Sequence, residues 1–334
     1  MELDLPFIWA GLIAVAVLLY VILDGFDLGI GVLFPFLADE EDRDVAMNTV
    51  APVWDGNETW LVLGGGGLFA VFPLAYAVIM PALYAPLLVM LLGLLFRGVA
   101  FEYRWRIAGH KSMWSFAFAA GSYAATFAQG VALGALIQGI PVANRAYAGG
   151  WWDWLTPFSM LTGVALVVGY GLLGATWLIM KTEGELQRDA YRYAGYTAVG
   201  TLGLIGVVSV WTPFLNDVYM ARWFVFPQIL YVVPVPLLVT AAAFVLWRSL
   251  VARHEYLPFL AALALFILSY IGLGIGFYPY IVPHTVTIWD AAGPDSSLWF
   301  LLAGTIFLLP IILMYTAYSY WVFRGKVNVD SGYH

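Results

Sequence analysis

The chain contains no cysteine, and only 10% of its 334 residues are charged, against about 25% in ordinary soluble domains. Without cysteine it cannot form a disulfide, a thiolate metal site or a redox thiol. The scarcity of charge accompanies a hydrophobic content of 63% and a mean hydropathy of +0.86. The long apolar runs lack the alternation of a β-barrel strand. These features predict an all-α polytopic membrane protein, with residues 1–334 forming a single integral-membrane domain.

Basic patches are also absent. The formal net charge is -7, and no cluster of lysine and arginine could form a nucleic-acid footprint, so nucleic acid is excluded as a partner. Glu2 and Asp4 stand where a secretory leader would carry basic residues, so we expect the first apolar run to remain as a span.

Histidine, the usual axial ligand of haem in membrane helices, is scarce. The four histidines all fall in predicted loops or at the tail: His110, His254, His284 and His334. The sequence therefore predicts no haem ligand and no other metal site in this chain; His284 in PYIVPHTVTIWD is the one exception that stays open, with a surface position the expected one. The sequence shows no nucleotide-binding fingerprint or serine–base pair.

Nine apolar segments are found with a window of roughly 20 residues, and the loops between them are short. Their limits are 7–37, 50–73, 76–104, 113–138, 157–180, 193–213, 224–248, 256–278 and 297–323. Tyrosines and tryptophans gather near segment ends, Tyr320 and Trp321 among them, where interfacial anchoring is the expected role.

Lysine and arginine give the orientation of these segments. With the N-terminus outside, only Arg145 and Arg222 fall in outside loops, and Arg97 lies within the third segment. Eleven of the 14 basic residues then lie inside: Arg43, Arg104, Arg106, Lys111, Lys181, Arg188, Arg192, Arg248, Arg253, Arg324 and Lys326. The bias predicts a periplasmic N-terminus and a cytoplasmic C-terminus.

Ionisable residues inside the first three segments are the strongest functional signal, because a charge at membrane depth is costly and usually has a task. Counting about 1.5 Å per residue from the segment ends places all six in one layer of the inner leaflet. They are Asp24 and Asp27, then Asp55 and Glu58, then Arg97 and Glu102.

Arg97 and Glu102 are five residues apart and point to different faces of a helix. We therefore expect Arg97 to pair across helices with Asp27 or Asp55 and to hold that carboxylate ionised. The remaining acids could then carry protons near neutral pH. Two other interpretations stay open at this point: salt bridges that only dock the helices, and side chains of Glu58 and Glu102 that reach out to the membrane interface.

Glycines recur at the spacing of closely packed helices, as in Gly25/Gly29, Gly130/Gly134 and Gly272/Gly276. The run 64–67 is not a phosphate loop, because no strand precedes it and no lysine follows it. Packing against a neighbouring helix, or room for a cofactor or a partner, is the better account of that run.

Five separated motifs occur in a fixed order: DGFDLGIG, WDGNETWLVLGGGGLFAVFPLAYA, FRGVAFEYR, FYPYIVP with TVTIWDAA, and LLPIILMYTAYSYWVFRGKV. With them the chain resembles subunit II of the cytochrome bd-type terminal quinol oxidases of bacteria, over essentially its whole length. The short loop between the sixth and seventh segments is similar to that of the shorter subunits of the cyanide-insensitive branch.

The resemblance implies a complex in the bacterial cytoplasmic membrane that oxidises quinol and reduces oxygen to water. Such a complex takes its protons from the cytoplasm and builds a proton gradient without pumping. It implies that two b-type haems, one d-type haem and the quinol site lie in the partner, subunit I. Subunit II would contribute nine helices and no haem, and lipid and a small single-helix accessory subunit can accompany the pair.

The resemblance also implies residue roles. Asp55 matches the aspartate of a WDGN motif that lines a proton route, and Trp60 matches a tryptophan near an oxygen access path. Asp24, Asp27 and Arg97 match the DGFD and RGV motifs, and Glu102 stands where some relatives have aspartate. The expected route enters near Glu58 or Glu102, passes to Asp55 and Asp27, and crosses to subunit I.

Two alternative functions would also account for these residues. A proton- or cation-coupled transporter would also have buried carboxylates and helices interrupted by proline, as at Pro81–Pro86 and Tyr278–Pro283. Inverted repeats, typical of such transporters, are not found in the sequence. A purely structural scaffold subunit is the second rival.

Overall fold

The computed structural model describes residues 3–106 and 109–328; Glu2 and His334, named above, lie outside the described residues. Fourteen α-helices are found there: α1 (Leu5–Leu33), α2 (Glu40–Asn48), α3 (Trp54–Val71), α4 (Pro73–Ala82), α5 (Tyr84–Arg106), α6 (Lys111–Gln138), α7 (Pro157–Lys181), α8 (Gly184–Trp211), α9 (Asp217–Phe224), α10 (Ile229–Val232), α11 (Pro234–Val251), α12 (Leu257–Phe277), α13 (Ile288–Ala291) and α14 (Asp295–Val322). Two short antiparallel hairpins join helices: β1 (Val142–Ala143) with β2 (Ala146–Tyr147), and β3 (Tyr280–Val282) with β4 (Val286–Thr287).

Eight of the described helices or helix pairs are long and apolar enough to cross a membrane, so the chain is a mostly helical, multi-pass membrane protein. The second predicted segment, 50–73, corresponds to α3, which is not among the eight. Its 18 residues correspond to about 27 Å at 1.5 Å per residue. It carries the WDGNETW sequence in its first two turns.

The third predicted segment, 76–104, is not one helix. It divides at Leu83, between α4 and α5. Pro86 has no N–H to donate to the carbonyl of Ala82, four residues earlier, so a continuous helix would lose a hydrogen bond there. Helix α5 therefore begins as a separate helix, and it carries Arg97.

Helix α1 lies at the centre of the bundle and contacts α3, α6, α7, α12 and α14. Every residue from Asp24 to Leu33 is buried. A Cβ atom on Gly29 would lie 1.9 Å from the carbonyl oxygen of Tyr170, and one on Gly174 would lie 2.4 Å from the carbonyl carbon of Gly29. Only glycine at both positions allows α1 and α7 to approach this closely, which confirms close packing at the Gly25/Gly29 spacing.

The run of four glycines in α3 has two sides. A Cβ on Gly64 would lie 3.1 Å from Val17, and one on Gly67 would lie 3.2 Å from Ile13, so both face α1. Gly65 and Gly66 have nothing within 4 Å of a built Cβ. The run therefore packs against a neighbouring helix on one side and leaves the other side of α3 open.

One end of the bundle, here called the α2 end, is organised around α2 and the final turns of α1, α5, α7, α11 and α14. The buried Arg104 of α5 holds α2 there: its Nη1 lies 2.6 Å from Asp44 and its Nη2 lies 3.0 Å from Glu40. Lys111, at the start of α6, adds a 2.6 Å contact to Asp44. Arg104 and Lys111, which follow Asp44 by 60 and 67 residues, thereby fix the chain just before α3.

The segment after α14 is clasped to the α2 end. The amine of Lys181, at the end of α7, donates to the carbonyl oxygens of Phe323 and Gly325. The amide of Val327 donates back to the carbonyl of Lys181 at 2.8 Å, and Lys326 reaches Glu255 at 2.8 Å. We call these contacts the tail clasp; they fix the last turns of α14 against α7.

Candidate functional site: a buried ionisable cluster

The local sequence of α3 and α5 brings their polar residues face to face. Trp54, the first residue of α3, stacks on Phe101 of α5, with ring centroids 4.8 Å apart and planes 5° from parallel. Gly98 leaves room for this ring, since a Cβ there would lie 3.3 Å from it. Glu58 follows Trp54 by one helical turn on the same face, so it is directed at Arg97, next to Gly98.

Arg97 is completely buried, and its Nη1 atom is shared between two helices. It lies 2.7 Å from Oε1 of Glu58 on α3 and 3.2 Å from Oδ1 of Asp24 on α1. Its Nη2 atom lies 3.9 Å from Oδ2 of Asp27. We call Asp24, Asp27, Glu58 and Arg97 the acid cluster. One guanidinium balances one carboxylate, so the cluster is electrically neutral only when two of its three carboxyl groups each hold a proton.

Asp27 is bound by an amide. The Nδ2 atom of Asn57 lies 2.7 Å from Oδ2 of Asp27, and the same nitrogen reaches the carbonyl oxygen of Leu23 at 3.4 Å. The Oδ1 atom of Asn57 accepts a 2.8 Å hydrogen bond from the hydroxyl of Tyr320 on α14. Both polar ends of this amide are therefore occupied.

Several atoms around the acid cluster are buried and have no hydrogen-bond partner among the described residues. They are Oδ2 of Asp24, Oδ1 of Asp27, Nε and Nη2 of Arg97, the hydroxyl of Tyr20 and Nε1 of Trp60. Buried polar atoms are nearly always hydrogen-bonded, often to ordered water. The concentration of such atoms in one place suits a site that exchanges protons through water.

The six predicted residues separate into an inner and an outer group. Asp24, Asp27 and Arg97 are buried, and the side chain of Glu58 is 23% exposed. Of the two expected partners of Arg97, Asp27 is confirmed by an ion pair at 3.9 Å. Asp55 is wrong, because it is exposed on the outer side of α3 and makes no ion pair within the described part of the chain. Arg97 instead pairs with Asp24 and Glu58, and its contact with Asp27 is the longest of the three.

Glu102 also lies outside the acid cluster. Its side chain is 59% exposed and pairs at 3.0 Å with Arg106, one turn along α5. The prediction that Arg97 and Glu102 are poor partners is therefore confirmed. Trp60, by contrast, is buried and packs on Ala16 and Tyr20 of α1, one turn beyond the acid cluster.

The described part of the chain contains no candidate metal site. No group of three or more histidine, aspartate or glutamate side chains there has an arrangement that could hold an ion. His110 and His254 are exposed at helix ends, and His284 lies in the turn between β3 and β4. These positions do not suit an axial haem ligand within a span.

A family model described as cytochrome bd terminal oxidase subunit II matches residues 5–323. The chain belongs to this family. It is a subunit of a respiratory quinol oxidase, an oxidoreductase complex, and the name subunit II implies a partner subunit I. Family membership removes the stand-alone transporter from the candidate functions.

Relatives match this subunit II from end to end. It is 32% identical to subunit 2 of the cytochrome bd-I ubiquinol oxidase of Escherichia coli K12, over 98% of this chain and 96% of the relative. It is 28% identical to the cytochrome bd ubiquinol oxidase subunit 2 of Bacillus subtilis 168, over 96% of each. A chain in the structure of the bd oxidase from Geobacillus thermodenitrificans superposes with a TM-score of 0.74 at 17% identity, covering 96% and 99% of the two chains. That likeness shows a shared fold.

Sequence reasoning missed two residues of the site in this subunit II. Tyr320 was expected to anchor at the membrane interface, yet its hydroxyl points inward to Asn57. Asn57 lies between Asp55 and Glu58 and was not singled out. The available signal was the amide itself, since a polar side chain inside an apolar helix is also costly and needs partners.

Proposed function

We propose that this subunit conducts protons from the cytoplasm to subunit I through Asp55, Glu58 and the acid cluster. The observation that carries the proposal is the position of Glu58. Its side chain is partly exposed, and the same carboxylate contacts the buried Arg97, which in turn contacts Asp24. A continuous line of ionisable groups therefore runs from the surface of α3 into the bundle.

The proposed topology puts the α2 end in the cytoplasm, with nine spans, α3 being the second. The basic residues that set the charge bias, such as Arg104, Lys181 and Lys326, all lie at this end. Asp55 is then an exposed acid in the first turn of α3 on the cytoplasmic side. It is placed to collect protons and pass them one helical turn inward to Glu58.

The acid cluster is the proposed proton-holding element. Glu58 receives a proton beside Arg97, whose fixed positive charge stabilises whichever of its neighbours is ionised at that moment. Asp24 and Asp27, with one unpartnered oxygen each, accept the proton through bound water. Glu102 is a surface acid in this scheme, and Trp60 is proposed to line an oxygen access path.

The redox chemistry is proposed to belong to subunit I. That subunit would carry two b-type haems, one d-type haem and the quinol site, and the complex would reduce oxygen to water. With the haems assigned to subunit I, the proposed task of this chain is to bind, hold and pass protons. Lipid and a small single-helix accessory subunit complete the proposed assembly in the bacterial cytoplasmic membrane.

The test uses the assembled oxidase with Asp55→Asn and with Glu58→Gln, each compared with Glu185→Gln. Glu185 is an exposed acid at the same end, paired only with Arg188. Loss of a proton-transfer group typically costs about 10²- to 10⁴-fold in rate, so we expect both site variants to reduce oxygen at least about tenfold more slowly at unchanged haem content. Glu185→Gln should turn over normally.

Two results would overturn the proposal. Full turnover of both site variants with intact haems would remove the proton role. Loss of haem in proportion to the loss of turnover would show instead that the acids only hold the two subunits together, which is the scaffold function.

A further inference from the structure

Tyr320 of α14 contacts Asn57, the residue that binds Asp27 of the acid cluster, and the proton route above does not use it. Its hydroxyl lies 2.8 Å from Oδ1 of Asn57. Its ring packs edge-on against Phe26 and Trp177, with centroids 6.4 Å away in each case. Two residues later α14 ends, and the tail clasp fixes the following chain to Lys181.

The orientation of the Asn57 amide follows from its neighbours. The carbonyl of Leu23 can only accept, so the amide nitrogen must face it and Asp27. The amide oxygen then faces Tyr320, whose hydroxyl must donate to it. Tyr320 therefore fixes the amide, and the amide presents N–H to one oxygen of Asp27.

The two oxygens of Asp27 are consequently unlike. Oδ2 accepts the N–H of Asn57, so a proton placed on Oδ2 toward Asn57 would lie against the hydrogen of that N–H. Oδ1 is buried and has no partner among the described residues. A carboxyl oxygen without the proton is the better acceptor of an N–H, so a proton that arrives at Asp27 binds Oδ1 in preference to Oδ2.

We propose that Tyr320 is a positioning residue for proton transfer: through Asn57 it keeps Oδ2 of Asp27 occupied as an acceptor and assigns the mobile proton to Oδ1. This inference rests on the proposed function, because it names the atom of Asp27 that the route uses. The charged and titratable groups that face Asp27 are Asp24 on its own helix, Glu58 on α3, Arg97 on α5 and Tyr320 on α14.

The test is redox-induced difference infrared spectroscopy on the assembled oxidase. The carboxyl band of Asp27 is assigned by its loss in Asp27→Asn. Tyr320→Phe keeps the ring and removes the hydroxyl, and Tyr318→Phe is the control, since Tyr318 lies on the same helix and is 62% exposed. We expect Tyr320→Phe to shift the Asp27 band and lower turnover about two- to tenfold, the effect of one lost hydrogen bond. The KM for quinol and the haem content should not change, and Tyr318→Phe should match the unaltered oxidase.

The outcomes separate this inference from the proposed function. If Asp27→Asn removes no band, Asp27 exchanges no proton and both fail. If the Asp27 band exists and does not move in Tyr320→Phe, the role of Tyr320 alone is overturned. If Tyr320→Phe loses haem, the test uses ¹⁵N-labelling of asparagine in the unaltered oxidase. An asparagine band that changes together with the Asp27 band supports the inference. The absence of any asparagine band from the difference spectrum overturns it.

Discussion

The Nη1 atom of Arg97 lies 2.7 Å from Oε1 of Glu58, and the guanidinium is fully buried while the carboxylate is partly exposed. This pair joins the surface of α3 to the interior of the bundle. Its two members stand in different surroundings, so they respond differently to substitution. The buried member supports the structure, and in the proposed route the partly exposed member is the one that exchanges protons.

Arg97→Met should destabilise the subunit strongly, because it leaves Asp24 and Glu58 without their cation. Breaking a buried ion pair typically costs about 3–5 kcal/mol. We expect much less assembled oxidase and a clearly lower thermal midpoint. Arg106→Met is the control: its guanidinium is 77% exposed and pairs only with Glu102, so it should cost about 0–1 kcal/mol. Equal melting of the two variants would contradict the structure.

Gly29→Ala should separate α1 from α7. The added methyl group would meet the backbone of Tyr170 and Gly174, which cannot give way as a side chain can, and overpacking costs about 1–3 kcal/mol or more. Gly11→Ala on the same helix meets nothing within 4 Å and should be neutral or stabilise by up to about 1 kcal/mol. The two variants are compared by the thermal midpoints of their purified complexes. A Gly29→Ala complex as stable as Gly11→Ala would show that the helices are farther apart.

The tail clasp should open in acid. Hydrogen bonds from Lys326 and then Gln187 lower the pKa of Glu255. The pKa of a glutamate in an unfolded chain is about 4.3. When folding lowers this pKa, the ionised carboxylate stabilises the fold at every pH above about 4.3, and this stabilisation is lost as the pH falls through the lower pKa of the folded chain. The protection factor of the Val327 amide against hydrogen exchange should therefore be constant from neutral pH down to about 5 and fall below about 4. In Lys326→Gln the protection factor should vary less with pH, and a flat profile in the unaltered chain would contradict the expectation.

The grouping of Asp24, Asp27, Glu58 and Arg97 could be predicted from the sequence, but their individual contacts could not. Counting residues along the first three segments placed their charges in one layer, and the described structure brings Asp24, Asp27, Glu58 and Arg97 together. Residues three apart on a helix differ by about 60° in direction, and that difference puts Asp55 outside and Glu58 inside. The rotation of α3 is set by tertiary packing, here Trp54 against Phe101, which no single-helix pattern contains.

Helix breaks and distant partners show the same limit. The prolines near the third segment indicated an interruption, yet the apolar run continues through it, so hydropathy gave one segment where the chain forms α4 and α5. Tyr320 lies 263 residues from Asn57. An aromatic residue at a span end has the same local pattern whether it turns outward to the interface or inward to a partner, so only the assembled bundle reveals its role.

The tail clasp and Tyr320 have a consequence for biogenesis. The acid cluster comes from the first helices to leave the ribosome, whereas Tyr320 and the acceptors of Lys181 come from the last. A nascent chain that stalls before α14 therefore leaves the Asn57 amide and the Lys181 amine without the partners that Tyr320 and the tail clasp supply. These contacts therefore form only after α14 has been synthesised, so the bundle is complete only when translation of the last helix is complete.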